Sequence, residues 1–381
     1  MKLNPVLAEL GAHPIAELQE KARAMRQAGE KLIDFSIGDP REPTPGFIPQ
    51  ALRDGVPSIS QYPVTGGTPE LRQAVASYVD RRFGVSVDPD TQVLPTSGSK
   101  EAIFTSHLAF VDGKAGDAVA FPSPGYPIYQ RGARFAGASA VAVPIAATDF
   151  VMKADAVRGD LWHRAAMVWS CSPHNPTGTV ASRDDLEQLV ERSRATATLF
   201  CSDECYADIY EDEPPASALQ VSGPDHNGVL AFLSCSKRSG MTGYRMGAVV
   251  GDAEAISALK ELRSSIGVAP AEFVQAAGVA AWSDDEHAVQ RRQVFALKRA
   301  ALKKAFEPDA VVGSTAGIYL WVRVPDDLAV TDRLLQEGVV VSPGRSFGVG
   351  GEGFIRLALV PSVEECESAV EVLQQCLQTV N

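Results

Sequence analysis

The sequence has little cysteine and a deficit of positive charge. Six cysteines are scattered through 381 residues, too few for the disulfide frameworks that stabilise small secreted proteins. Basic side chains number 35 against 47 acidic ones, a formal net charge of −12, which argues against a protein that binds nucleic acid by neutralising phosphates. We therefore expect reduced thiols and no nucleic-acid partner.

Signals for membranes and secretion are also missing. No stretch reaches the roughly 18 consecutive apolar residues of a membrane-spanning helix. The amino-terminal stretch contains Glu9, Pro14 and Glu17 and lacks the apolar centre of a secretory signal. We expect a cytoplasmic protein without a membrane partner. Its hydrophobic fraction of 45% and charged fraction of 22% are those of a globular protein, and its length favours two domains.

The pattern along most of the chain predicts an α/β architecture. Short apolar runs alternate with segments of helical spacing, which favours a largely parallel, buried sheet flanked by helices. Residues 41–68 are rich in Pro, Gly and Thr and are predicted to be mostly loop. Predicted strands cover 93–94, 117–121, 139–143, 165–170, 196–202, 229–236 and 246–251, and predicted helices cover 69–84, 99–110, 183–194 and 253–265.

The character of the chain changes near residue 283, where a smaller α+β unit is predicted to begin. Residues 283–306 read as one amphipathic helix with an acidic start and a basic end. Strand-like segments at 317–324, 338–342 and 354–360 and a helix at 363–379 follow.

Helical spacing over residues 5–29, broken near Pro14, predicts an amino-terminal helix. Residues 1–40 precede the large sheet and show no strand partner of their own, so we expect them to pack with the smaller unit. The predicted large domain is then 41–282, and the small domain combines 1–40 with 283–381.

Four motifs follow predicted strands in a fixed order. They are TSGSKEAIF (96–104), CSPHNPTGTV (171–180), CSDECYADIY (201–210) and SCSKRSGMTGYRMG (234–247). Ligands of open α/β sheets bind beyond the carboxyl ends of the strands, so we expect the motifs to meet in one site.

Each motif allows a plain structural interpretation beside a chemical one. The Gly-Ser pair of the first motif could form a phosphate seat at a helix start or merely cap that helix, and the second motif could be only a turn. Asp203 could pair with a cationic ring nitrogen or cap a helix. Lys237 in a partly dehydrated pocket could form a Schiff base with an aldehyde cofactor, whereas a lone lysine is usually a solvated surface group. The ordered combination favours the chemical interpretation.

The four motifs together resemble those of class I/II aminotransferases of fold type I, which use pyridoxal 5′-phosphate (PLP). The resemblance covers essentially the whole chain. It implies a large domain with a mostly parallel sheet flanked by helices and a smaller α+β domain, amino-acid and 2-oxo-acid substrates, ping-pong kinetics and a homodimer. The histidines and cysteines lack metal-ligand spacing, and no metal is expected.

The resemblance implies a role for each matching residue. Lys237 would bind PLP covalently and move the substrate proton, Asp203 would pair with the pyridine nitrogen, and Tyr126 in PSPGYPIY would stack on the ring. The remaining predicted site residues are Gly98, Ser99, Lys100, Ser234 and Arg245 around the phosphate, Tyr62 reaching the phosphate of the neighbouring subunit, Asn175 and Tyr206 on the phenolic oxygen, and Gly38, Asn175 and Arg356 on the substrate carboxylate.

A finer resemblance lies in SIGDPREPTPGFI (36–48) and IGVAPAEFVQAA (266–277). With the phosphate and lysine motifs, they are similar to bacterial succinyldiaminopimelate transaminases of lysine biosynthesis, which implies N-succinyl-LL-2,6-diaminopimelate and 2-oxoglutarate as substrates. Alternatives are an aspartate-, aromatic- or alanine-type aminotransferase of broad specificity, a PLP carbon–sulfur lyase and a catalytically silent relative.

The extra carboxylates of a succinylated substrate would need cations near the cofactor. The candidates are Arg41, Arg238, Arg263 and Arg345, each of which otherwise reads as a surface arginine. Tyr319 in GIYLW could line the pocket or belong to the core of the smaller unit.

Overall fold

Apolar strands form the centre of the structure, and helices cover them. The computed structural model describes residues 1–9 and 15–378. The strands are β1 (Ile33–Asp34), β2 (Val93–Thr96), β3 (Ala118–Ser123), β4 (Ser139–Pro144), β5 (Ala165–Cys171), β6 (Leu199–Asp203), β7 (Val229–Ser234), β8 (Gly247–Gly251), β9 (Val311–Val312), β10 (Tyr319–Arg323), β11 (Val339–Val340), β12 (Ser342–Pro343) and β13 (Phe354–Ala358).

The helices alternate with these strands through the first two thirds of the chain. They are α1 (Pro5–Glu9), α2 (Ala16–Gln27), α3 (Phe47–Asp54), α4 (Pro69–Phe83), α5 (Ser99–Phe110), α6 (Ile128–Phe135), α7 (Gly159–Trp162), α8 (Arg183–Ala195), α9 (Cys235–Arg238), α10 (Ala253–Ile266), α11 (Glu272–Ser283), α12 (Glu286–Lys303), α13 (Asp327–Gln336) and α14 (Val363–Gln378). None of the described helices is long and apolar enough to cross a lipid bilayer.

The largest sheet has seven strands in the order β2-β8-β7-β6-β5-β3-β4. The pairs from β7 through β6, β5 and β3 to β4 are parallel, and only β8 runs against its neighbours β2 and β7. Strands β5 to β8 are buried almost throughout because helices cover the sheet. The expected mostly parallel sheet with flanking helices is confirmed.

A second group of strands lies beside this sheet. It is a four-stranded antiparallel sheet in the order β12-β13-β10-β9, joined by the two-stranded pair β1-β11. Apolar residues of α12, α13 and α14, among them Phe295, Leu334 and Leu373, pack with the inner residues of β10 and β13. The smaller α+β unit is present, and the domain boundaries at residues 41 and 283 stay a prediction.

One expectation for the amino-terminal part is wrong. Residues 1–40 do have a strand partner, because Ile33 and Asp34 pair in parallel with Val339 and Val340. A two-residue strand is too short to show alternating hydrophobicity. Residues 41–68 are mostly loop, as predicted, apart from α3, which packs against α11. The predicted break near Pro14 and the last residue of the predicted helix 363–379 lie outside the described residues.

Candidate active site

A cavity of about 570 Å³ lies at the carboxyl ends of the central strands, between the large sheet and the smaller one. It brings together every predicted site residue except Gly98 and Tyr62. Those lining it are Gly38, Ser99, Lys100, Tyr126, Asn175, Asp203, Tyr206, Ser234, Lys237, Arg245 and Arg356. Strands that run in parallel end at one edge, which is why distant motifs meet there.

Lys237 lies on the single turn of α9, directly after the buried strand β7. Its Nζ donates a hydrogen bond to the carbonyl of Gly38. Burial lowers the pKa of the Lys237 amine to about 8, and nearby Asp39 opposes this shift while Arg245 and Arg291 reinforce it. The amine therefore loses its proton more readily than an ordinary lysine and can act as a nucleophile.

Asp203 is the last residue of β6 and is buried. Its Oδ2 accepts a hydrogen bond from the Tyr129 hydroxyl at 2.6 Å, and its Oδ1 accepts one from the amide of Cys205 at 3.2 Å. Burial raises the pKa of the Asp203 carboxyl, because the described residues provide no basic side chain paired with it. A cationic group bound beside Asp203 would reverse that shift.

Tyr129 is a site residue that the sequence analysis missed. Its ring stacks on Trp169 at 5.0 Å between centroids and meets the ring of Tyr126 edge-on at 5.7 Å. Trp169 in turn donates from Nε1 to Nε2 of His107 at 3.2 Å. These contacts fix the hydroxyl that orients Asp203, and the available signal was a second tyrosine in PSPGYPIY.

An anion seat lies where α5 begins. Gly98 precedes the helix with φ +82°, and a Cβ there would lie 2.5 Å from Nη2 of Arg245. Ser99 starts the helix, and Ser234 faces the cavity from the end of β7. Free amide groups of a helix start, hydroxyls and a guanidinium are the donors that a phosphate requires.

Arg356, on β13, is a buried cation without a carboxylate partner in the described ranges, and it is 5% exposed. Nη1 donates to Oδ1 of Asn175 at 3.1 Å, and Nη2 donates to the carbonyl of Ser36 at 2.6 Å. The guanidinium lies 4.4 Å from the ring centroids of Tyr319 and Phe347, and Nε has no hydrogen-bond partner. Burial lowers the pKa of Arg356. A ligand carboxylate would satisfy both the charge and the free N–H.

Tyr319 lines the cavity together with Tyr206, whose hydroxyl lies 3.0 Å from that of Tyr319. A Cβ at Gly38 would lie 2.5 Å from the Tyr319 hydroxyl, so only glycine allows the amino-terminal loop this close. Tyr319 therefore contacts both the loop and Arg356, as a pocket residue does.

The four arginines considered for extra carboxylates do not line the cavity. Arg238 and Arg263 are buried rather than at the surface, where they pair with Asp208 and Glu101 at 2.8 and 2.5 Å. The remaining two are partly exposed, and Arg41 pairs with Glu365 at the surface while Arg345 pairs with the buried Asp327. Their charges are used by partners distant in sequence, which sequence inspection does not show.

Tyr62 is fully exposed, at 100%, and does not contribute to the cavity of its own chain. Its segment, between α3 and α4, also exposes Val56, Ile59 and Val64.

The sequence of the chain matches a known protein family. Residues 30–373 match the family model described as aminotransferase class I and II. The chain belongs to that family. It is therefore an aminotransferase, and enzymes of this family depend on PLP.

Relatives of this aminotransferase match it from end to end. It is 35% identical to LL-diaminopimelate aminotransferase 2 of Nostoc sp., with 98% of each chain covered. An aminotransferase structure from Neisseria meningitidis superposes with a TM-score of 0.90 at 32% identity, covering 100% of both chains. A Thermus thermophilus structure described as a probable N-succinyldiaminopimelate aminotransferase gives a TM-score of 0.89 at 28% identity, covering 95% of this chain and all of that one.

The residues of the cavity fit PLP. Asp203 has the raised pKa of a carboxyl that lacks its cation, and the pyridine nitrogen of PLP offers one when protonated. Lys237 has the lowered pKa of an amine ready to react with an aldehyde. The seat formed by Ser99, Ser234 and Arg245 suits the phosphate.

Proposed function

We propose that this aminotransferase takes the amino group from a donor with the diaminopimelate skeleton and delivers it to a 2-oxo acid such as 2-oxoglutarate. The observation that carries the proposal is the convergence of three groups on one cavity, namely a lysine of lowered pKa, a buried carboxyl and a buried arginine with a free N–H. This set suits α-amino acids and provides for the transfer of a proton.

In this proposal PLP supplies an electron sink for the charge left when the substrate Cα loses its proton. Asp203 keeps the pyridine nitrogen protonated, and Tyr129 holds the carboxylate in the orientation that this requires. Lys237 would hold the cofactor through Nζ, and the same amine would serve as the base that takes the proton from the substrate Cα and as the acid that gives it back.

The other cavity residues hold the reactants in place. Tyr126 would lie against the ring, and Asn175 and Tyr206 would donate to its phenolic oxygen. Ser99, Lys100, Ser234 and Arg245 would hold the phosphate, with Gly98 allowing the close approach of Arg245. Arg356 binds the α-carboxylate, and the Gly38 loop closes over it and excludes water. The fixed geometry lowers the entropy cost of the proton transfer.

The identity of the donor rests on the relatives. The Nostoc enzyme at 35% identity is named for LL-diaminopimelate, and this donor is our first candidate. N-succinyl-LL-2,6-diaminopimelate, indicated by the finer sequence resemblance and by the name of the Thermus structure, is the second. N-succinyl-LL-2,6-diaminopimelate carries one carboxylate more than LL-diaminopimelate. In the described part of the chain the four candidate arginines are paired outside the cavity, which disfavours the succinylated donor.

A donor panel tests the proposal. Purified enzyme with PLP is given 2-oxoglutarate and, separately, LL-diaminopimelate, its N-succinyl derivative, aspartate, alanine and phenylalanine, and glutamate formation is followed. We expect the highest kcat/KM with LL-diaminopimelate. A preference for aspartate or phenylalanine would contradict the proposed donor. In a separate incubation with cysteine and no oxo acid, release of ammonia and pyruvate would indicate a lyase.

A further inference from the structure

A buried arginine outside the cavity contacts the main chain of Lys237. Arg291 lies on α12 and is 6% exposed. Its Nε donates to the carbonyl oxygen of Lys237 at 3.3 Å, and its Nη1 donates to the carbonyl oxygen of Pro43 at 3.2 Å. One guanidinium thus connects α12 with the helix that carries Lys237 and with the loop that follows Gly38.

The turn after α9 is shaped around this guanidinium. Gly240 has φ +65°, and a Cβ there would lie 2.8 Å from Nη1 of Arg291. The Gly240 carbonyl accepts a hydrogen bond from Thr44 Oγ1 at 2.6 Å, which brings the same loop against the turn. Glycine at this position preserves the contact between the arginine and both segments.

The charge of Arg291 is balanced only in part. Its Nη2 lies 3.8 Å from Oε2 of Glu42, and neither atom has a hydrogen-bond partner within the described residues. The other oxygen of Glu42 accepts from Nζ of Lys298, which is also buried. One carboxylate therefore serves two buried cations, and residual positive charge stays beside the backbone of Lys237.

Four groups act on the Lys237 amine besides burial. Asp39 and Cys205 raise its pKa, and Arg245 and Arg291 lower it. Arg245 belongs to the anion seat, where a bound phosphate would neutralise its effect. Arg291 does not line the cavity, so its effect on Lys237 persists when ligands bind.

We propose that Arg291 is a positioning residue for Lys237. Its two hydrogen bonds hold the α9 backbone and the Pro43 segment at a fixed separation, so that Nζ stays beside the Gly38 carbonyl and faces the cavity. The inference rests on the proposed role of Lys237. Arg291 contacts neither the cavity nor Nζ, and its effect is transmitted through the main chain.

The test compares Arg291→Met and Arg291→Lys with wild type. Arg292→Met is the matched control, since the Arg292 guanidinium lies over the ring of Tyr210 at 4.1 Å. Two properties are measured on the full chain. The first is the rate of Lys237 acylation against pH without PLP, followed by mass spectrometry. The second is kcat and KM with PLP bound. Thermal unfolding reports the stability of each variant.

We expect Arg291→Met to lower kcat roughly 10- to 100-fold, the usual cost of a displaced catalytic group, with KM for the donor changed less than about threefold. The pH midpoint of Lys237 acylation should rise from about 8 in wild type, because a neighbouring cation is lost. Arg291→Lys should restore the midpoint but only part of kcat, since one ammonium does not reproduce both hydrogen bonds. Arg292→Met should match wild type in both measurements.

The inference would be overturned if Arg291→Met kept the wild-type kcat and acylation midpoint and showed only a lower Tm. Arg291 would then be a purely structural residue. Should Arg291→Met not fold, wild-type kcat in Arg291→Lys would overturn the inference equally. Failure of the proposed function would give a different result. Covalent PLP on a lysine other than Lys237 would refute the proposed role of Lys237. The acylation profile is measured without PLP, so it tests the effect of Arg291 on Lys237 independently.

Discussion

Burial sets the chemistry of the individual site residues. It lowers the pKa of Lys237 and of Arg356 and raises that of Asp203, so burial disfavours the charged form of each group. PLP and a substrate carboxylate would bring the opposite charges. Ligand binding then offsets part of the desolvation cost that folding imposed on these three groups.

Arg356→Lys tests the carboxylate site. A lysine keeps the charge but cannot donate from two directions, and a charge-assisted hydrogen bond contributes about 1.5–3 kcal/mol. We expect kcat/KM for the amino donor to fall roughly 10- to 100-fold. Arg323→Lys, at an exposed position of the neighbouring strand β10, is the control in the same steady-state assay. Unchanged kcat/KM in Arg356→Lys would remove Arg356 from the substrate site.

Glu204 gives a prediction for pH-dependent stability. Burial raises the pKa of its carboxyl to about 7, and only one of its oxygens has a hydrogen-bond partner in the described structure, the amide of Ala218 at 2.9 Å. A raised carboxyl pKa stabilises the fold below the ordinary value of 4.5, and this contribution is lost as pH rises through 7.

The free energy of unfolding of wild type should therefore fall by up to roughly 3 kcal/mol between pH 5 and pH 8.5. Glu204→Gln should not show this decrease, because its side chain does not ionise. Denaturant unfolding of both proteins at several pH values measures it. Glu187→Gln, at an exposed position of α8, is the control. Parallel stability curves for Glu204→Gln and wild type would show that Glu204 is ionised throughout.

Sequence reasoning predicted which residues meet in one cavity where a motif repeats a family pattern, and it failed where the surroundings of a side chain depend on distant partners. Lys237, Asp203 and Arg356 converge as predicted. Arg238 was misread as a surface residue because its partners, Asp208 and Asp285, lie 30 and 47 positions away. A motif predicts the chemical role of a residue. The burial of a side chain and its ion-pair partners depend on contacts that form only in the folded protein.

Among the elements, α5 shows how a helix start becomes a binding site. Gly98→Ala would bring a Cβ to 2.5 Å from Arg245 at a φ of +82°. We expect PLP affinity to fall at least about tenfold, because the guanidinium and the helix start would separate. Titration with PLP, followed by absorbance, measures it.

Gly116→Ala is the matched control for Gly98→Ala. Gly116 has nearly the same backbone angle, φ +84°, with no atom within 4 Å of an added Cβ. It therefore imposes the strain of a left-handed alanine without the collision. Equal PLP affinity in the two variants would refute the proposed anion seat at α5.

Helices and strands were predicted correctly where apolar and polar residues alternate with a clear period. The helix predicted over 99–110 is α5 to the residue. Helix α11 was missed because EFVQAAGVAAWS carries small and apolar residues around most of its circumference, between α3 and α4, so the helical period is weak. Strand β1 was missed because two residues are too few for a period of two.

For the whole molecule, we propose a homodimer whose subunits complete each other's sites. The segment 55–64 exposes Val56, Ile59, Tyr62 and Val64, and contiguous exposed apolar side chains are typical of an interface. Sedimentation should give twice the mass of one chain. Tyr62→Phe should lower PLP affinity several-fold without changing the mass, since one hydrogen bond is lost.

Tyr210→Phe, at a half-buried tyrosine packed against Arg292, is the control for the Tyr62 variant in the same PLP titration. A fully active monomer in sedimentation would contradict the dimer, and wild-type PLP affinity in Tyr62→Phe would contradict the exchange of site residues.

The proposed mechanism requires that Lys237 binds PLP while Asp203 holds the opposite side of the ring. The most direct measurement is reduction of the PLP-loaded enzyme with borohydride, followed by digestion and peptide mass spectrometry. We expect one labelled lysine, Lys237, and loss of that label in Lys237→Ala. A label on Lys100, or an unchanged amount of label in Lys237→Ala, would contradict it.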